Sequence, residues 1–434
     1  MMSAGIFSQV RLLHRRRDAL RCTIHEGDKI MSFTTTRRAA LVGTASLFAI
    51  GGRAMAQAAP ITFGALPPLT GAGGPYGPAM LRAIQGVVAE ANEAGGVRGR
   101  PIRLVFEDDQ TNPDAGVRGA RKLIDVDRVQ ALMGTWASSV TTGVAPLCWE
   151  NRVPLFTVSG ADSITLLPHQ GYIFRTQPNS RLQIATGADY LIRQGARRVF
   201  HLAAQSPFAQ SSQDTLVEKF RAAGGQVAGY IVYERDKTAF RSEVDQLLRA
   251  RPDTVFLNGY LPDVTILLRE LFRAGFEGRR FTPAYAVNAN TFATLPNEVT
   301  NGVITWQPSP DEASPAFTRL KTRFGATEVD PYSAQTHDHA TLAILAAAQA
   351  LAGGAVPDAQ LGTAIRDNVR RISQGSGESV SSVAAGLAAI NAGRAVNFDG
   401  ASGPVSFDER GDIQGTKFRY EQADGGRFRL LELI

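Results

Sequence analysis

Cysteine is nearly absent from this chain: its 434 residues include two, Cys22 and Cys148. That scarcity excludes a disulfide scaffold and any multi-cysteine metal cluster. No apolar run reaches the ~18 residues needed to cross a bilayer. The body of the chain also lacks a charge surplus. A formal net charge of +6 and a pI of about 9.5 point at first to nucleic acid. Yet residues 1–56 alone carry nine Lys/Arg against three Asp/Glu, and the remainder carries 37 of each sign. A nucleic-acid-binding body would keep a basic surplus or stripe, so no nucleic-acid partner is expected.

Signatures of catalysis and cofactors are missing too. The run Gly71-Ala72-Gly73-Gly74-Pro75-Tyr76-Gly77 sits where a phosphate loop would, between a strand and a helix. It has no G-x-G-x-x-G spacing, because Tyr76 takes the sixth place, and no Gly-Lys-Ser/Thr. His337-Asp338-His339 lies in a helical pattern, where positions i and i+2 do not share a face, so the imidazoles diverge and zinc is not expected. Beyond residue 56 no Gly-x-Ser-x-Gly elbow occurs, and none of His169, His201, His337 and His339 stands beside a nucleophile. Cys148, within Pro146-Leu147-Cys148-Trp149, reads as a core residue. Glu107-Asp108-Asp109 reads as helix capping and surface charge, with a cation site as the alternative. The expectation is a non-enzyme with no cofactor and no metal.

What is present begins with an address. Arg37-Arg38 precedes the apolar run Ala39 to Ile50, and Ala54-Met55-Ala56 follows. A basic start, a short apolar core and an A-x-A site make a secretory signal, cleaved after Ala56. The arginine pair after Thr36 resembles a twin-arginine signal, although Ala40-Leu41 stands where Phe-Leu is more typical; Sec export is the alternative. The signal reads normally from Met31, which is expected to be the true start, with the upstream stretch an artefact. Export would remove Cys22 and leave Cys148 alone, and no lipobox cysteine stands at the cleavage site. A free protein of the periplasm follows.

The whole chain is 44% hydrophobic and 20% charged, a globular composition, and its length fits two domains of ordinary size. Strands are expected at Ile61 to Leu66, Ile102 to Phe106, Val129 to Met133 and Val153 to Val158. Helical patterns lie between them, including Met80 to Ala94. Alternating β and α units of this length imply a parallel sheet covered on both sides. The pattern restarts after Pro178, with strands at Arg198 to Ala203, Val227 to Val232, Thr254 to Leu257 and Phe281 to Val287, and with helical stretches near Leu216 to Ala223, Thr238 to Arg249 and Ile266 to Ala274. Helices follow in series at Ala313 to Phe324, Tyr332 to Leu351 and Ala359 to Arg371. A short helix, Val383 to Asn391, comes next. Closing strands are expected at Gly403 to Phe407, Lys417 to Tyr420 and Arg427 to Leu431.

Hydroxyls cluster at the strand ends: Ser138, Ser139, Thr141 and Thr142 after the third strand, Ser159 and Ser163 after the fourth. In open α/β sheets ligands sit at the carboxyl ends of strands. Ser138 and Ser139 also open a helix, where a hydroxyl and free backbone N–H groups can seat an anion. Simple N-capping is the alternative for either serine. Two such strand ends side by side point to a carboxylate pocket.

The chain resembles the periplasmic substrate-binding proteins of leucine/isoleucine/valine-type ABC importers from about Ile61 to Leu433. The resemblance rests on Leu69-Thr70-Gly71 with Tyr76-Gly77, on Gly95-Gly96-Val97-Arg98-Gly99-Arg100-Pro101-Ile102 and on Glu107-Asp108-Asp109 with Asn112-Pro113. It continues through Gly134 with Ser138-Ser139, Val153-Pro154 with Ser159, and Phe174-Arg175, and ends with Gly403-Pro404-Val405-Ser406-Phe407-Asp408 and Gly411-Asp412. It implies a type I periplasmic-binding-protein fold, an α/β protein of two parallel-sheet lobes joined by a three-strand hinge and closing on ligand. After the 1–56 leader, lobe 1 would be 57–177 and 309–403, and lobe 2 would be 178–308 and 404–434. The resemblance also implies that Ser138 holds the ligand carboxylate with Ser139 and Ser159 nearby, and that Ala161 and Ser163 assist from the same lobe. Tyr76 would line the wall, with Phe208, Tyr260 and Tyr285 supplied by the second lobe. The partners implied are a small-molecule ligand and ABC permease subunits, and the receptor would be a monomer. A ligand-sensing module of the same fold is the alternative function.

One departure bears on the ligand. Amino-acid binders of this family place an acid on the strand that here reads Pro283-Ala284-Tyr285-Ala286-Val287, and none is present. An unpaired buried ammonium costs several kcal/mol, so a ligand without an α-amine is expected unless Asp162 or Asp263 substitutes. A second departure is the long stretch Gly375 to Ala401, which has no functional reading.

Overall fold

The computed structural model describes residues 19–26, 29–36, 59–235, 237–325 and 329–434. The chain forms two compact units, 1–58 and 59–434. In the first, β1 (Ala19–Glu26) and β2 (Lys29–Thr36) form an antiparallel hairpin. The proposed signal, residues 37–56, lies outside the described residues.

The second unit opens with β3 (Ile61–Ala65), α1 (Gly77–Glu93), β4 (Ile102–Phe106), α2 (Pro113–Arg121), β5 (Leu132–Thr135), α3 (Ser138–Glu150), β6 (Leu155–Thr157) and β7 (Ile173–Arg175). It continues through α4 (Ser180–Arg193), β8 (Arg198–Ala204), α5 (Pro207–Ala222), β9 (Gln226–Tyr233), α6 (Arg241–Ala250), β10 (Thr254–Asn258), α7 (Leu261–Arg273) and β11 (Arg279–Pro283). Next come α8 (Ala289–Thr294), α9 (Asn297–Thr300), β12 (Val303–Ser309), α10 (Pro315–Phe324), α11 (Pro331–Ala352) and α12 (Asp358–Ser373). The chain closes with β13 (Glu378–Val380), α13 (Val383–Asn391), β14 (Val396–Phe398), β15 (Lys417–Asp424) and β16 (Arg427–Leu433). No described helix is long and apolar enough to cross a membrane.

Two sheets organise two lobes. The first is parallel, in the order β4-β3-β5-β6-β7. Its inner strand β3 is buried at every residue, as a strand covered on both faces must be. The second runs β16-β15-β12-β11-β10-β8-β9, parallel except for the closing antiparallel pair β15 and β16. After β7 the chain crosses to α4, which packs Ile184, Ala188 and Leu191 against the second sheet. It returns after β12. Helix α11 is buried from Pro331 through Ala348, and its alanine-rich face joins the core of the first sheet. The polar residues of its first half are buried with hydrogen-bond partners, Asp338 accepting the Ala401 and Ser402 N–H groups and His339 lying against Thr176, which lets the helix sit inside. The last crossing leads to β15.

Several expectations are corrected. The strand expected to reach Val287 ends at Pro283, and Ala284–Ala286 forms a 3-10 turn. Gly403 to Phe407 is not a strand but makes only isolated bridges, Asp399 with Pro404 and Phe407 with Ile413. Pro404 has no N–H to give a ladder. Helix α5 starts at Pro207 rather than near Leu216, because Ser206 caps it by accepting the Ala209 N–H at 3.1 Å. The acidic cluster is not uniformly surface charge. Strand β4 stops at Phe106, so its alternation ends there; Glu107 pairs with Lys122, and Asp109 is fully buried. Asn112, not an acid of the cluster, caps α2. The stretch 375–401 folds as a small β-α-β unit, β13 and β14 in parallel, with α13 joining the first lobe's core.

Candidate functional site

The carboxyl ends of β5 and β6 face the second lobe across a small cavity of about 40 Å³. Strand β5 leaves through Gly134, at φ 92°, which turns the chain into Trp136-Ala137-Ser138. Ser138 is the first residue of α3, after Ala137 in extended conformation. The first N–H groups of a helix lack intrahelical partners, so this terminus favours an anion. Neither Ser138 nor Ser139 caps α3: Ala137 holds that position, and no side-chain cap bond forms. Instead the Ser138 Oγ accepts the Ala161 N–H at 3.1 Å, a bond that does not use the hydroxyl proton.

The walls are aromatic. Trp136 and Tyr332 come from the first lobe, and Phe208, Tyr260 and Tyr285 from the second. The Trp136 ring is the hub, 5.8 Å from Tyr260, 5.5 Å from Tyr285 and 5.9 Å from Tyr332. Tyr76 stacks on it at 5.9 Å and meets Tyr332 edge-on at 5.3 Å. Tyr76 Oη also donates to the Tyr285 carbonyl at 3.1 Å, which ties the two lobes together. Further bonds cross the cleft: Asn288 Nδ2 to Tyr76 Oη at 3.5 Å, Asp162 N–H to Ser211 Oγ at 3.3 Å, and Arg235 Nη1 to the Thr111 carbonyl at 3.4 Å. Burial pushes the Tyr76 and Tyr260 phenols up to about 12 and those of Tyr285 and Tyr332 higher still, so all four are neutral. The polar lining is Ser138, Gln177 and Gln183; no charged side chain faces the cavity among the described residues.

The other expected residues stand behind or beside this wall, and Tyr76, expected to line it, instead backs Trp136 and is not among the lining residues. Ser159 is fully buried, with its Oγ 2.8 Å from the Trp136 carbonyl and 2.5 Å from Thr141 Oγ1. It braces the strand ends rather than lining the cavity. Ser139 is not among the lining residues, and Ser163 is exposed. The backbone of Ala161 is engaged on both sides, its N–H by Ser138 and its carbonyl by Arg175 Nη1 at 2.5 Å. Arg175 is fully buried and pairs through Nε and Nη2 with Asp412 Oδ1, at 2.8 and 2.6 Å. Burial lowers the pKa of this guanidinium, and Asp412 opposes that shift. Asp412 Oδ2 in turn accepts from Thr165 and Asn179, both at 3.2 Å. This network fixes the loop that carries Ala161.

Neither substitute acid lines the cavity. Asp263 takes the Tyr233 hydroxyl at 2.5 Å and the Tyr260 N–H at 2.9 Å, holding Tyr260 at the head of α7. Asp162 Oδ1 accepts the Arg181 N–H at 3.1 Å. The two imidazoles of His337-Asp338-His339 part: His337 Nδ1 lies 2.9 Å from Asp338 Oδ1, and His339 Nε2 lies 2.7 Å from Thr176 Oγ1. No group of three metal-type side chains converges among the described residues.

Sequence reasoning missed Trp136, Tyr332, Gln177 and Gln183. Trp136 had a signal, since it follows β5 directly, and the strand-end rule applies to rings as well as hydroxyls. Tyr332 and the two glutamines had none, because the chain crossings bring them in.

Residues 60–427 match the model of a family described as periplasmic binding protein. The chain is similar to the Leu/Ile/Val-binding protein homolog 2 of Brucella abortus, 25% identical over 327 residues, spanning 74% of this chain and 85% of that one. Among solved structures it resembles the leucine binding protein LivK of Thermotoga maritima, with a TM-score of 0.71 and 20% identity, covering 86% of this chain and 98% of that one. It also resembles a solute binding protein of an R. palustris ABC transporter in complex with benzoate, with a TM-score of 0.68 and 19% identity, covering 86% and 96%.

Proposed function

Because the chain belongs to the periplasmic binding protein family, we propose that it is an exported receptor that closes two lobes on a small carboxylate and delivers it to an ABC importer. Lobe 1 is 59–177 with 309–413, and lobe 2 is 178–308 with 414–434; the second boundary lies later than the sequence implied, because Val405, Phe407 and Ile413 pack into the core of the first sheet. The observation that carries the ligand reading is the composition of the cleft: aromatic rings from both lobes, a helix N-terminus headed by Ser138, and no charged lining residue among those described. The carboxylate sits at the start of α3, on the Ser138 hydroxyl and the free N–H groups of the first turn. The body of the ligand packs against the rings that line the cavity, Trp136, Phe208, Tyr260 and Tyr285.

The relatives frame two ligand classes, branched-chain amino acids and benzoate. An α-ammonium in this cleft would need an acid, and Asp162 and Asp263 are committed elsewhere. A carboxylate with an aromatic or aliphatic body and no α-amine therefore fits better. The receptor is proposed to work as a monomer in the periplasm, docking on permease subunits and releasing its ligand chemically unchanged.

Thermal melting of the ligand-stripped protein tests this against benzoate, phenylacetate, 4-methyl-2-oxopentanoate and leucine. Stripping requires unfolding and refolding. Ligand at ~100 times its Kd adds about 2.7 kcal/mol, a shift of several degrees. A shift with the acids and none with leucine is expected. A shift with leucine alone would refute the amine-free reading, and no shift with any of the four would refute the carboxylate reading.

A further inference from the structure

A second, larger cavity opens on the first lobe, away from the cleft. It has a volume of about 310 Å³, is lined by α1, α10 and the start of α11, and shares no lining residue with the cleft. That volume lies at the lower end of the ~300–1,000 Å³ typical of small-molecule sites. Its apolar lining includes Ala83, Val87 and Leu320, all buried. Arg82, Arg319 and Arg323 also line it, against a single carboxylate among the described residues, Glu90.

That carboxylate is already engaged. Glu90 lies 3.5 Å from Arg323 Nη1 and accepts the Ala384 N–H at 3.3 Å. Arg319 is held by the carbonyl and hydroxyl of Ser381 in the small β-α-β unit, neither of which neutralises it. Arg82 lies over the Phe324 ring, 5.7 Å from its centroid. Gly86 leaves room at the rim: a Cβ there would come within 3.2 Å of Arg323 Cδ. His337 also lines the cavity, and Asp338 engages its Nδ1, so Nε2 is the nitrogen left for an occupant. An apolar floor beneath surplus guanidinium charge matches an anion with an apolar tail, since guanidinium groups pair with carboxylates through two parallel hydrogen bonds.

We propose that this cavity is a second binding site, for a small amphipathic carboxylate whose chain lies on the floor and whose head meets Arg82 and Arg319. The site is independent of the cleft reading.

Isothermal titration of the full chain with octanoate and with octylammonium tests it, using the double variant Arg82→Gln/Arg319→Gln and the groove-filling variant Gly86→Leu. Octanoate is expected to bind the parent chain and to weaken by about tenfold or more in each variant. Octylammonium is expected not to bind. The benzoate-induced melting shift reports the cleft separately and is expected to survive both variants, so a failure of either site is scored alone. The proposal is overturned if octanoate does not bind the parent chain, if both variants bind it as well as the parent does, or if octylammonium binds equally well.

Discussion

Replacing Trp136 by leucine removes the ring on which both lobes converge. The indole is 6% exposed and touches four other rings. Tyr76 and Tyr332 belong to its own lobe, and Tyr260 and Tyr285 to the other. Each aromatic pair contributes roughly 0.5–1.5 kcal/mol beyond its buried area. The two pairs within the lobe exist whether the cleft is open or closed, so their loss lowers fold stability. The two cross-lobe pairs form only on closure, so their loss, about 1–3 kcal/mol, falls on the closed state and on ligand affinity. At about 1.4 kcal/mol per factor of ten, affinity should drop about 5- to 150-fold. Titration calorimetry with the best acid from the melting screen measures the affinity, and urea unfolding of the unliganded protein measures the fold. Tyr285→Phe serves as the control, because it keeps the ring and should stay within about threefold of the parent. An affinity for Trp136→Leu within about twofold of the parent, with the fold intact, would refute the ring-hub reasoning.

Gly160→Ala should wedge the cleft, since a Cβ there would lie 2.7 Å from Phe208 Cε2 on the opposite lobe. We expect about 1–3 kcal/mol lost from ligand binding and little from unliganded stability; an unchanged affinity by calorimetry would count against it. Arg175→Leu leaves Asp412 without its guanidinium in a buried network and should destabilise the fold by about 3–5 kcal/mol in urea unfolding. A loss below about 1 kcal/mol would show that the Ala161 loop stands without it. Asp109 is fully buried; its Oδ1 accepts the Thr111 N–H at 2.7 Å, Oδ2 has no partner among the described residues, and burial raises its pKa to about 7. Because the folded pKa lies above the unfolded one, the parent loses stability as pH rises from about 4 through 7, whereas Asp109→Asn does not. The variant's advantage should therefore widen by about 2–3 kcal/mol between pH 5 and pH 8, and a pH-independent gap by urea unfolding contradicts this.

Much of the fold was legible because periodicity survives in single segments. Ile102–Phe106 and Val383–Asn391 fall where the pattern put them, and Arg198–Ala204 and Thr254–Asn258 differ by one residue. The errors have local causes. A cap outside the apolar stripe moved the start of α5, and Pro404 removed a donor from the last expected strand before β15. Strands β7 and β12 were missed, and each leads into a crossing between the lobes, where the alternation of strand and helix breaks.

The site was legible only in part, and the division follows how each residue reaches the cleft. Ser138 stands at the end of a strand of its own sheet, so sequence position alone implies its role. Tyr332 reaches the cleft only because the chain recrosses the hinge, and no local pattern encodes that. Ser159 and Ser163 obey the strand-end rule by position and yet do not line the cavity. The Ser159 hydroxyl is used by the Trp136 carbonyl and Thr141, and Ser163 faces solvent in a loop pinned from behind by Arg175 and Asp412. Position therefore finds which strand ends approach the ligand, whereas the hydrogen bonds decide which hydroxyls remain free to meet it. By that criterion Ser138 alone, of the four expected serines, both lines the cavity and keeps its hydroxyl proton out of the bond with Ala161. A single hydroxyl on a helix N-terminus can satisfy a carboxylate but offers an ammonium no counter-charge. The same geometry that excludes three expected serines thus also argues for an acid without an amine.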